Sequence, residues 1–200
     1  MTATRAIGLL TGRSILGTYL AAHGAQKLFG SFDGPGIEAA SAGFHHLGLR
    51  PGPVFARVAS VSEIGGGVLT AAGAAHPLGP VVLAGTMAVA AVTHRANGPL
   101  AAKGGYELPL TNLAAAVALA VAGPGRLSWD AMTGRRLPAS VTRLVVAGAL
   151  AVSAASVVMI VRTQRTPPAA SDADAPEAPE ADAPQADAPE APEAEAATSE

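Results

Sequence analysis

The sequence predicts an all-α integral membrane protein: a four-helix membrane bundle, a fifth transmembrane helix and a disordered C-terminal tail. Three observations predict it. Apolar runs in the first 165 residues approach the roughly 20 residues that one helix needs to cross a bilayer core. They are rich in Gly and Ala, which disfavour a helix in water but let helices approach closely in lipid. The charge is split: all thirteen Lys and Arg precede residue 166, whereas ten of the fifteen acids lie between Asp172 and Glu200. Residues 1–165 thus carry about +8 and the tail about −10.

The first span runs from Arg13 to Phe29. Its start resembles a signal peptide, but Ala22-His23-Gly24 is a poor cleavage site and charges crowd the apolar stretch, so an uncleaved helix is expected. Gly8 and Gly12 before it have GxxxG spacing. Pro35 and Gly36 break the chain, and Ile37–Leu47 is expected as a short interfacial helix with Phe44 and Leu47 on its apolar side. Val54–Ala75 is the second span and Leu78–His94 the third, joined at His76-Pro77 as antiparallel neighbours. The triplet Gly65-Gly66-Gly67 would give the second span a flat packing face. Tyr106–Ala122 is the fourth span and Val141–Val161 the fifth. From residue 166 Asp and Glu alternate with Ala and Pro, a composition that cannot bury enough apolar surface to order itself. The expected organisation is a membrane domain over 1–131, an added basic-flanked helix over 132–165 and a tail over 166–200. Too few charges lie on the helix faces for a soluble Ala-rich bundle.

There is no cysteine, which excludes disulfides, thiolate catalysis and Cys-ligated metals. Scattered Arg and few aromatics argue against nucleic acid. No P-loop, GxSxG elbow or dinucleotide fingerprint is present. Arg clusters fall on both sides of a five-span chain, so the positive-inside rule gives only a slight preference for a cytoplasmic N-terminus, with Arg5, Arg13 and the Arg126–Arg143 loop inside.

Ionisable residues within spans are costly and so informative. His23 and Lys27 close the first span on one helical face, Glu63 sits near the middle of the second, His94 ends the third and Glu107 opens the fourth. If the helices converge, these five form an interior polar site. Glu63 would be neutralised by Lys27 or a protonated His, and His23 and Glu63 are the candidate contacts for a quinone. The structural reading is that Lys27 and His94 snorkel and Glu107 answers the helix dipole. No short metal-ligand motif supports a metal site, and no metal is expected.

Four stretches in order resemble the DoxX family of small bacterial membrane proteins: LGTYLAAHGAQKLFG at 16–30, SEIGGGVLTAAG at 62–73, His94, and GGYELPLTNLAAAVALAVAGPGRLSWD at 104–130. The resemblance implies a four-helix bundle in the bacterial plasma membrane. Some relatives are subunits of a thiosulfate:quinone oxidoreductase, and others are proposed to join complexes for thiol and oxidative-stress homeostasis. It therefore implies a small membrane subunit of an oxidoreductase system, in contact with the lipid bilayer and a soluble oxidoreductase partner, with a homo-oligomer open. The alternative is a non-catalytic scaffold or assembly factor. The fifth span and acidic tail depart from the family pattern.

Overall fold

The structure, a computed structural model, describes residues 2–135 and 137–165. The described residues are helical, without strands. The expected tail over 166–200 lies outside them.

Helix α1, Ala3–Phe29, starts ten residues before the predicted span. The Thr2 hydroxyl accepts the Arg5 amide at 3.3 Å and so satisfies one of the amides left open by a helix start. Gly30 ends the helix in the left-handed region, φ 72°. Helix α2 is Gly36–His46 and α3 is Gly52–Ala72. Proline in the first turn of α3 removes an amide that would have no partner there. Gly73, φ 64°, stops α3 three residues short of its predicted end. Helix α4, Leu78–Thr93, leads through two short 3-10 turns into α5, Glu107–Ala122. The five-residue α6, Trp129–Thr133, has no counterpart in the predicted spans; the Ser128 hydroxyl caps it by accepting the Ala131 amide. Helix α7 is Ala139–Arg165, longer than the apolar run at both ends.

Helix α3 packs between α1 and α4, α4 also meets α5 and α7, and α5 touches α1. Leu16 and Leu20 of α1, Leu83 and Met87 of α4 and Ala116 of α5 form the shared core. Helix α2 packs on α3 and α1.

The α1–α3 contact is made backbone to backbone. A Cβ placed on Gly67 would stand 2.5 Å from the Gly17 carbonyl oxygen, and one on Gly24 would stand 2.7 Å from that of Ser60. The glycine triplet is not one flat face. Gly67 serves α1, Gly66 lies against Leu83 of α4, and Gly65 has open space. Nor does the Gly8–Gly12 spacing mark a tight helix contact: nothing lies within 4 Å of a Cβ on Gly8, and only Leu119 reaches Gly12, at 3.9 Å. A GxxxG spacing reports what a helix permits, and here the partner backbone lies further along α1.

Large apolar side chains cover the outside. Ile7, Ile15, Val61, Val68, Val117, Val121, Leu144, Leu150 and Val158 are all exposed. Such a surface is far more apolar than a soluble monomer carries. Helix α3 and residues Ala139–Thr163 of α7 are long and apolar enough to cross a membrane, and α4 and α5 are shorter apolar helices.

Candidate functional site

The buried stripe of α1 contains Arg13, Leu16, Gly17, Leu20 and Gly24, recurring every three or four residues. Lys27 continues it by one turn. The antiparallel α3 brings Glu63 opposite Gly24, where the missing Cβ lets the two helices close. Glu63 is 2% exposed and Lys27 17%. Lys27 Nζ donates to both carboxylate oxygens of Glu63 at 2.7 Å. This is a charge-assisted contact that offsets the cost of burying the carboxylate. His23 Nδ1 lies 3.3 Å from Glu63 Oε2 and 3.2 Å from Lys27 Nζ.

That geometry gives His23 two states. With Nδ1 unprotonated, the ring accepts from Lys27. With a proton on Nδ1, the ring donates to Glu63 and the Lys27 contact becomes repulsive. His23 is 46% exposed and also borders a small outer pocket with Tyr19, Ala22, Gln26 and Phe32. It therefore links a buried carboxylate to the exterior.

The cluster sits on the wall of a cavity of about 790 Å³, bounded by helices α1, α2, α3, α4 and α7 and the start of α5. Phe44 and Leu47, the apolar side of α2, face it, as do Phe55, Met87 and Asn112. The volume suits a cofactor-sized ligand. Tyr19, Val58, Leu108 and Val152 line it and remain about half exposed, so it communicates with the apolar outer surface.

The five predicted site residues do not all converge. His94 also borders the cavity, but its Nδ1 lies 2.8 Å from the Ala90 carbonyl and 3.0 Å from the Thr93 hydroxyl, within its own helix end. Glu107 is exposed and accepts the Ala101 amide at 3.0 Å, tying down the 3-10 turn before α5. It occupies the first turn of α5, where the helix dipole favours a carboxylate.

A second polar cluster was missed as an interaction. Arg13, 5% exposed, donates to the carbonyls of Ala71 and Leu127. Asp130 accepts the amides of Ala75 at 2.9 Å and His76 at 2.8 Å, one per carboxylate oxygen. The His76 ring lies 3.1 Å from the Ala120 carbonyl. Together they staple the α3–α4 turn to the segment after α5. The available signal was the position of Arg13 on the same face as Leu16, Gly17 and Leu20.

Burial lowers the His76 pKa from its ordinary 6.5, against the raising effects of the Ala120 hydrogen bond and of Asp130. The folded state therefore resists protonating this ring more than the unfolded chain does. Thermal stability in detergent is expected to fall as pH drops below about 6.5 and to be flat, for this group, above it. His76→Gln should flatten that slope; an unchanged slope would assign it to other groups.

Residues 8–96 match the DoxX family model. This segment is a DoxX domain. The match runs from within α1 to just past the end of α4 and so includes His23, Lys27, Glu63 and His94. The segment 104–130, whose residues also resemble the family, lies beyond the matched residues, as does α7. No curated protein and no solved structure matches the chain.

Proposed function

We propose that this DoxX protein is a multi-pass plasma-membrane protein serving as the small membrane subunit of a quinone-linked or thiol and oxidative-stress oxidoreductase system. In this reading α1, α3, α4 and α5 are the four-helix membrane bundle and α7 is the fifth span. One observation carries the proposal: a buried carboxylate, an ammonium and a solvent-linked imidazole share the wall of an apolar cavity near the middle of α3. The residues fit a quinone. Lys27 and His23 supply donors for its carbonyl oxygens, and Phe44, Leu47, Phe55 and Met87 supply the apolar lining. A bound quinone supplies the two-electron chemistry that a chain without cysteine lacks, and electrons come from a soluble partner. His23 exchanges protons with the exterior, the Glu63 carboxylate accepts at Oε2 from a protonated His23 Nδ1, and Lys27 keeps the carboxylate in place.

Native mass spectrometry with lipid extraction on gently solubilised protein tests this. Wild type is expected to retain a quinone, and Glu63→Gln or His23→Ala to lose most of it. Equal retention in both variants, or none in wild type, overturns the reading. The scaffold reading draws on the complete pairing of Glu63 by Lys27, which suits a purely structural tie. It predicts a stoichiometric protein partner with no ligand, lost on deleting residues 166–200.

A further inference from the structure

We infer that α7 is the wall of the cavity that holds an apolar chain, so that the site takes an amphiphile: a compact hydrogen-bonding head at Glu63–Lys27–His23 and an alkyl or isoprenoid chain along α7. The inference rests on the cavity reading above and adds the ligand's second half.

Val145, Gly148, Ala149, Val152, Ser153 and Ser156 of α7 line the cavity. Their spacing of three and four places them on one helical face. Two contacts hold that face. The absent Cβ of Gly85 makes room for Ser153, whose Oγ would stand 2.7 Å from it. Ten residues on, or about 15 Å along the axis, the Thr163 side chain packs against Gly48, where a Cβ would stand 3.0 Å from that of Thr163. Toward the start of α7 the space opens: nothing lies within 4 Å of a Cβ built on Gly148. The wall offers little to a polar group. Ser156 is buried and spends its hydroxyl on the Val152 carbonyl at 2.8 Å. Apart from the Ser153 hydroxyl, what remains is Val145, Gly148, Ala149 and Val152, a surface that recognises a chain by area and dispersion. Gly148 and Val152 are themselves exposed, so a chain lying there continues into lipid. Helix α7 lies outside the matched residues 8–96.

The open space at Gly148 provides the test. Gly148→Phe adds an aromatic ring at the cavity edge from a Cβ that meets nothing within 4 Å, and Gly148→Ala controls for helix propensity. Purified full-length protein in nanodiscs is titrated with a decyl-substituted benzoquinone and with the same quinone lacking the chain. Wild type and Gly148→Ala should bind the decyl compound more tightly. Gly148→Phe should weaken it about tenfold, the loss expected when about two methylenes leave apolar contact, and leave the chainless compound unchanged. Persistence of the chain's advantage in Gly148→Phe, or equal weakening of both probes, overturns the inference. If neither quinone binds wild type, the redox reading fails. A dansyl-labelled fatty acid then decides: binding by wild type that Gly148→Phe abolishes sustains the chain wall, and no binding or no difference overturns it.

Discussion

Replacing Lys27 with Met is expected to destabilise the folded protein by about 3 kcal/mol, the order of cost for stripping a buried charge of its partner. Both oxygens of Glu63 accept from Lys27 Nζ, and the carboxylate is almost wholly enclosed. Without the ammonium, His23 at 3.3 Å is the one cationic partner left to it among the described residues. Glu63→Gln alone should cost less, because Lys27 is partly exposed and can turn its charge outward. The double variant Lys27→Met with Glu63→Gln should recover much of the loss, since a neutral amide in this setting needs one hydrogen bond rather than a counter-ion. Unfolding in a denaturing-detergent titration reads all three proteins. A Lys27→Met protein as stable as wild type would show that the ion pair does not tie α1 to α3. His23→Ala should matter least for stability, because the ring is half exposed and exposed ion pairs contribute about 1 kcal/mol or less.

The second large effect separates neighbouring glycines. Gly67→Ala should cost about 1–3 kcal/mol or more, the usual range for overpacking. The added methyl meets the Gly17 carbonyl and the Ala21 backbone nitrogen at 2.5 and 2.7 Å, and backbone cannot turn aside as a side chain can. Gly65→Ala, two residues away, meets nothing within 4 Å and should be neutral or slightly stabilising. Gly66→Ala should fall between, because its nearest neighbour is the movable Leu83 side chain at 3.1 Å. Equal melting temperatures for the Gly65 and Gly67 variants would dismiss the close α1–α3 seam.

Much of this was legible from residue spacing. The apolar runs located α3, α4, α5 and α7 to within a few residues, because Pro and Gly punctuate their ends. The start of α1 was not, because Thr4, Arg5 and Arg13 interrupt the apolar run over turns that are nonetheless helical. The meeting of His23, Lys27 and Glu63 was legible for a physical reason: two positions four apart on one helix and a mid-span carboxylate on the next have few other ways to be satisfied in lipid. His94 and Glu107 were grouped with them by placement near span ends. Each instead satisfies local backbone, which sequence cannot distinguish from a convergent site. The role of α2 as a cavity wall was hidden as well, since an amphipathic pattern does not say whether its apolar side meets lipid or protein. Asp130 was visible only through resemblance, because its partners at Ala75 and His76 are backbone amides that leave no pattern in the side chains.

The Arg13 and Asp130 staple also sets an order in time. Arg13 leaves the ribosome early, yet one of its two acceptors, Leu127, is synthesised 114 residues later. The amides of Ala75 and His76 wait some 55 residues for Asp130. The α3–α4 turn therefore cannot be completed until the segment after α5 has been made. The guanidinium of Arg13 must meanwhile be satisfied by water or by the carbonyl of Ala71. Completion of the fold is in this sense a checkpoint on the arrival of residues 127–130, and a nascent chain that stops short of them carries an unclosed end.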